Sequence, residues 1–490
     1  MTRTPSSHTA FIRGVVVRSL GLVTLVAFAS LWVQIDGLVG SRGILPLRDH
    51  LDLLARSAVG NPFWSAPTLF WWWPTDTALH LVCAAGCALS VALMAGIPLE
   101  GPVLLGLWAL YLSLCHAGQV FLGFQWDTLL LETLFTSLLV ARWNPWGRHG
   151  PSRVGVWALR LLLFKLMLGS GLVKLTSGDP TWWDGSALAY HYWTQPLPNP
   201  LSWAFHHAPL AWHRLETWAT LVIEIALPFA MFAGRIGRRV AFVGFTLVLA
   251  MLFVSGNYGF FQLLSMVLVL TLLDDADVQA LADRLPARLS GLASQGSREP
   301  VAAPHVAQEV LAGCVLAGLL GVGIPMQYGR TASYRDLGEG TLEVLRAAQP
   351  FRTVNAYGLF ANMTESRPEV RIEGSDDGQT WVPYVFRYKP GPLDRRPPVV
   401  APHMPRLDWQ MWFAALGRCE RNVWVTRLME RLADNEPVVV GLIATDPFPD
   451  GGPRYIRAMR TEYVFTDGGP DWWAASPVDE PYCRVLETSR

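Results

Sequence analysis

Apolar residues fall in long runs through the first two thirds of the chain and in short, alternating groups after it. The runs lie at 13–33, 77–97, 101–116, 119–141, 154–175, 214–234, 238–255, 258–273 and 307–325. Most are long enough to cross the roughly 30 Å hydrocarbon core of a bilayer as helices, which predicts about nine spans. Beyond 326 the pattern changes. Alternating residues at 369–372 and 381–388 flank Asp377-Gly378, a tight-turn pair, and predict a hairpin. Helices are expected at 406–416 and 422–432, and strands at 438–443 and 455–465. The predicted fold is a polytopic α-helical membrane domain over 1–326, followed by an α+β domain over 327–490.

Basic residues orient these spans. With the N-terminus cytoplasmic, Arg142, Arg148 and Arg153 share one cytoplasmic loop and Arg235, Arg238 and Arg239 another, as the positive-inside rule requires. Arg284, Arg288 and Arg298 also fall inside. The loops 34–76 and 176–213 and the whole C-terminal domain are then exoplasmic. The first run follows Arg3 and Arg13, and its length favours a retained first span over a cleaved signal peptide. Trp71, Trp72 and Trp73 stand where interfacial anchors belong.

Composition agrees with a membrane protein: 51% of residues are hydrophobic and 16% charged, against about 25% charged in soluble domains. The net charge of zero gives no sign of a nucleic-acid partner; membrane lipid is the expected environment. Arginine greatly outnumbers lysine, a bias of GC-rich genomes that fits a bacterium and its inner membrane. Cys83, Cys87, Cys115 and Cys314 sit in apolar runs as small packing residues. Cys419 and Cys483 lie in the polar tail and can pair if it faces an oxidising compartment; the sequence leaves open whether they meet.

Two of only three lysines, Lys165 and Lys174, lie inside one apolar run. An ammonium at bilayer depth costs roughly 2.5–3.5 kcal/mol on insertion scales, so it faces protein and seeks a carboxylate. Helical geometry places Gln125, Thr128, Glu132 and Thr136 on one polar stripe. Depth along the segments predicts a midplane cluster of Glu132, Lys165 and Glu224. A second cluster of Asp127, Lys174, Arg214 and Glu216 is expected near the outer mouth, beside His191, His206, His207 and His213. The histidine spacing gives no metal motif, and neither a metal nor a cofactor is expected. Ion pairing is the plain reading of these charges; a proton relay and, at Lys174, a catalytic base are the alternatives.

Three stretches carry a family resemblance: 121–132 (FLGFQWDTLLLE), 190–203 (YHYWTQPLPNPLSW) and 402–416 (PHMPRLDWQMWFAAL). Together they resemble the lipase maturation factor family. The resemblance implies a polytopic protein with exoplasmic loops and tail, whose animal members help secreted lipases to fold in the endoplasmic reticulum. It brings in the outer-loop residues His191, Tyr192, Gln195 and Asn199. In the tail, Trp409, Trp412 and Phe413, with the aromatic residues of the hairpin, exceed what a small core needs; core packing is the plain reading, and a client surface that also takes in Arg406 and Asp408 is the alternative. A fainter similarity joins 171–175 (GLVKL), Asp179, Trp182 and Gly185 to the transmembrane domain of vitamin K-dependent γ-carboxylases, which implies a base at Lys174. The expected function is a membrane-anchored maturation factor for a secreted client such as a lipase; the alternative is a carboxylase-like enzyme using Lys174 and a lipid-soluble cofactor.

Overall fold

The computed structural model describes residues 10–57, 60–144, 150–282 and 304–488; Arg3, Arg148, Arg284, Arg288 and Arg298 lie outside them. The N-terminal part is a helical bundle: α1 (Ala10–Trp32), α2 (Asp76–Ala95), α3 (Glu100–Ala117), α4 (Gln125–Ser137), α5 (Arg153–Thr176), α6 (Ala187–Thr194), α7 (Leu210–Ile225), α8 (Gly234–Ser255), α9 (Phe261–Leu270) and α10 (Val306–Thr331). Among the described residues five helices, α1, α2, α5, α8 and α10, are long and apolar enough to cross a membrane. The remaining apolar runs form shorter or more polar helices. The run 119–141 opens as a 3-10 turn at Gln119–Leu122 before α4 begins. The run 214–234 breaks after Ile225, because Pro228 offers no N–H to the helical ladder. At the other extreme α10 runs through Pro325 to Thr331, so the boundary expected at 326 falls inside a helix.

Small residues let the helices approach closely. A Cβ at Gly86 of α2 would lie 2.3 Å from the Phe28 ring of α1, and Ser90 donates to Thr24 across the same contact at 2.8 Å. This is the packing expected where lipid supplies no hydrophobic drive between helices. One end of the bundle is laced by arginine–carboxylate contacts. Arg13 meets Glu100, Arg238 meets Asp274, and Arg235 and Arg239 meet Asp277. At the same end Glu309, opening α10, accepts from Ser152 and the Arg153 and Val154 N–H groups that open α5.

The tail folds over the opposite end. Its strands are β1 (Pro368–Ser375), β2 (Val382–Pro383), β3 (Val385–Phe386), β4 (Ile443–Thr445), β5 (Tyr455–Phe465), β6 (Trp473–Ala475) and β7 (Glu480–Glu487), with helices α11 (Arg406–Ala415) and α12 (Val423–Ala433). The main sheet runs β2-β1-β5-β6, β7 also pairs with β5, and β3 and β4 form a separate ribbon. All the pairings are antiparallel. The β1–β2 hairpin turns at Gly378 (φ +72°), with the Asp377 carboxylate accepting the Gln379 and Thr380 N–H groups. Burial alternates along β5, which pairs on both edges. The run 438–443 is not one strand: Pro437–Val440 is a helical turn that packs on Gly37, where a Cβ would lie 2.4 Å from the Val438 carbonyl. Cys419 and Cys483 are disulfide-bonded, with Cα atoms 5.4 Å apart, tying the α11–α12 turn to β7. Cys83 and Cys115 are buried as expected, but Cys314 is exposed on α10.

Candidate functional site

Lys165 and Lys174 are nine residues apart on α5, about two and a half turns, so they leave opposite faces of the helix. That geometry separates what depth alone would have gathered. Lys165 turns to α4 and pairs with Glu132. Lys174 turns to α7 and pairs with Glu224 at 2.7 Å. The expected cluster of Glu132, Lys165 and Glu224 is therefore two separate ion pairs, each bordering its own cavity.

At the Lys174 site the ammonium donates to Glu224 (2.7 Å), the Ser170 carbonyl (3.2 Å) and the Leu359 carbonyl (3.1 Å), and it lies 5.1 Å from the Trp182 ring centre. Three acceptors match its three protons. A cavity of about 260 Å³ opens beside it, walled by Ile223, Leu247 and Met251 with His191, Tyr192 and Glu216 on its polar side. Burial, and secondarily the Lys174 charge, push His191 down to about 4, so its ring is neutral at neutral pH and faces the Tyr258 hydroxyl at 3.1 Å. Tyr192 donates to Glu216 at 2.9 Å. Gln195 and Asn199 serve as ties rather than lining: Gln195 donates to the Ser255 carbonyl and accepts from Tyr258. Asn199 caps the following helix and reaches the Val254 carbonyl. The outer-mouth cluster is only partly assembled. Glu216 approaches His213, Arg214 is exposed, and Asp127 is elsewhere.

The Lys165 site has the opposite balance of donors and acceptors. Glu132 accepts from Lys165, the Asn355 N–H (2.9 Å), the Asn355 amide (3.2 Å) and the Tyr357 hydroxyl (2.6 Å). Gln125 brackets the same strand of chain, meeting both the N–H and the carbonyl of Gly358 at 3.2 Å. Residues 354–360 thus form a strap across α5 that satisfies Glu132 from Asn355 and Tyr357 and Lys174 from Leu359. No periodicity marks these strap residues in the sequence.

Asp127 meets the tail. Its two oxygens accept from Arg406 Nη1 and Nη2 at 2.6 and 2.8 Å, and Tyr111 donates to it at 2.7 Å. Trp409 packs edge-on against Trp126 at 4.8 Å and near Phe124 and Tyr258, while Trp412 donates to the Thr194 carbonyl. Asp408 accepts the Tyr388 and Lys389 N–H groups, and burial pushes its carboxyl up. For Arg406, Asp408 and Trp409 the burial follows the packing reading and not the client-surface alternative. Arg406, Asp408 and Trp409 are 1–3% exposed because they bind the bundle and the tail's own core, and Trp412 is tied to the outer loop. Phe413, at 43%, is the exposed member of the set. The stretches 121–132, 190–203 and 402–416 therefore converge on one buried junction between bundle and tail.

The family model for the lipase maturation factor transmembrane domain matches residues 11–280, and that for the lipase maturation factor C-terminal domain matches 353–482. The chain belongs to the lipase maturation factor family. It is 35% identical to lipase maturation factor 2 of Homo sapiens, over 96% of this chain and 82% of that protein. It is 33% identical to lipase maturation factor 1 of Bos taurus, over 94% of this chain and 86% of that protein. No solved structure matches it. Membership in this family, with the five apolar helices, makes it an integral membrane protein. Among the described residues no cluster of three or more His, Cys, Asp or Glu side chains is arranged to hold a metal ion.

Proposed function

We propose that this chain is a membrane-anchored maturation factor for exported proteins, with a lipase as the client class, and that its tail engages the client on the exoplasmic side. The observation that carries this reading is the match of both parts of the chain, in order, to the two family domains. The maturation role comes from the relatives' names. The orientation draws support from the arginine-rich end of the bundle lying away from the tail and from the Cys419–Cys483 disulfide, a bond of oxidising compartments. The shorter helices α3, α4, α7 and α9 complete a nine-segment alternation between the two ends. In a bacterial host the tail would face the periplasm.

The client contact falls to what the junction leaves free. Phe413 and Leu416, three residues apart, and Val423 are 43%, 44% and 63% exposed, and the first two lie beside the helix position of Trp412, which is tied to the outer loop. The carboxylase-like alternative needs Lys174 to release a proton, yet that ammonium is held by a carboxylate and two carbonyls. An ion-pair role fits those contacts better.

The test is co-expression with an exported lipase and measurement of secreted lipase activity per unit of lipase protein. The full chain is expected to raise that ratio, and Phe413→Asp/Leu416→Asp to abolish the gain without loss of membrane protein. An unchanged ratio with and without the chain would remove the lipase from the proposal.

A further inference from the structure

The Lys165–Glu132 pair is unevenly satisfied. Glu132 has four donors, whereas among the described residues the Lys165 ammonium makes one hydrogen bond, to Glu132, supplemented by the face of Tyr357 at 5.1 Å. Two of its N–H groups are left without an acceptor at the floor of a cavity of about 430 Å³ between α5 and α10, within the roughly 300–1,000 Å³ range of small-molecule sites. The walls are apolar, chiefly Leu161, Leu168, Leu172, Leu320 and Ile324, and Ile324 is 64% exposed on the outer surface of the bundle. The two helices close on the lysine at Gly323, where a Cβ would lie 3.9 Å from Lys165 Nζ and 3.2 Å from Val354. Any larger side chain there would fill the route to the charge.

We infer that this groove binds a single-chain amphiphile with an anionic head, a long-chain fatty acid, its carboxylate accepting from the free N–H groups of Lys165 and its chain lying along the leucine walls. The unfilled donors pick the head: Glu132 lines the same cavity and offsets the Lys165 charge, but its oxygens are filled by four donors, so the remaining ammonium N–H groups are matched by one acceptor-only group. A phospholipid would bring more glycerol and ester oxygens than the polar lining of Thr136, Gln327 and Tyr328 can pair, Gln327 being already tied to Tyr357, and burying unpaired polar groups is unfavourable. This inference is independent of the client reading, because it concerns the lipid-facing side of α5 and α10 and not the tail.

The experiment uses the full chain in nanodiscs of phosphatidylcholine, labelled with a photoreactive diazirine palmitic acid and mapped by peptide mass spectrometry. Labels are expected on α5 and α10. Excess oleate should compete, and methyl oleate should not. Lys165→Met and Gly323→Leu should each reduce labelling about tenfold, the effect of losing a charge-assisted hydrogen bond or the space for it. Competition by methyl oleate equal to that by oleate would reduce the site to an ordinary lipid groove, and stronger competition by phosphatidic acid would assign it to a phospholipid; either overturns the inference. Gly323→Leu retains both Lys165 and Glu132 and decides the matter if Lys165→Met fails to fold: retained labelling in that variant overturns the inference, and lost labelling with an unchanged melting temperature supports it.

Discussion

Arg406 in the first turn of α11 and Asp127 in the first turn of α4, 279 residues apart in sequence, form a two-pronged ion pair with Nη1–Oδ2 and Nη2–Oδ1 distances of 2.6 and 2.8 Å. Neither side chain is more than 1% exposed. The planar guanidinium matches both carboxylate oxygens at once, so the pair fixes the tail's register on the bundle as well as its attachment. Ser30, Gln34 and Asn257 add backbone contacts to Met404, Arg406, Val400 and Ala401 around it.

Breaking that pair from one side should loosen the tail. Arg406→Ala leaves Asp127 as a buried carboxylate with Tyr111 alone, a loss of about 3–5 kcal/mol for a buried pair cut in half. The expected readout is a lower melting temperature and faster protease cleavage between 331 and 368. The double variant Arg406→Met/Asp127→Leu, which removes both charges, should recover much of the loss; a double variant as unstable as the single one would show that the pair contributes by something other than charge.

Lys174 and Glu224 give a second cycle. If their contact is an ion pair that fixes α5 against α7, Lys174→Met and Glu224→Leu should each destabilise the protein, and the two together less than their sum. Client maturation should follow stability across the three variants. A Lys174→Met protein of normal stability that cannot mature a client would restore the catalytic reading.

The pH dependence of stability tests the buried outer loop. His191 is 3% exposed and faces the Tyr258 hydroxyl, the rings of Tyr192 and Phe360, and the Lys174 charge. Its folded value of about 4 lies below the unfolded 6.5. Between those values the unfolded chain holds more protons, so stability rises with pH. The contribution is fully present above about 6.5 and is lost as pH falls towards 4, by at most about 3 kcal/mol. His206 is pushed down similarly by burial, so the measurement is a difference: His191→Gln should flatten the urea-stability profile between pH 4 and 6.5 relative to wild type.

Much of this architecture is legible in the sequence because the forces that set it are local or periodic. Unbroken apolar runs mark the helices, Asp377-Gly378 marks the hairpin, and the isolated charges on apolar segments mark residues that must find partners. The partners themselves are not legible. Depth along a span says where Lys165 and Lys174 lie but not that they leave opposite faces, which the nine-residue spacing already implies. The strap at 354–360 carries no periodicity, and the aromatic excess at Trp409 and Trp412 cannot tell packing, or an interface within the chain, from a client surface. The 438–443 run shows the limit of β-propensity, since Pro437 and the close contact at Gly37 turn a valine-rich segment into a helical turn.

The Cys419–Cys483 bond closes 64 residues of the tail. Replacing both cysteines with serine should cost about 2–4 kcal/mol of tail stability, the usual range for such a link. Reducing and non-reducing gels of the membrane fraction check that it forms in the cell, and a wild-type protein that alkylates at both positions without reductant would remove this support for an oxidising compartment.

The sidedness of the tail is the claim on which the client reading stands. Cysteine substitutions at Val399, 76% exposed on the tail, and at Arg153, exposed at the arginine-rich end, can be probed with a membrane-impermeant maleimide in sealed vesicles of known sidedness, in a background where Cys314 is alanine. The expected result is labelling of Val399→Cys from the exoplasmic face and of Arg153→Cys from the cytoplasmic face alone. The reverse pattern would place the tail in the cytosol and contradict a role in maturing exported proteins.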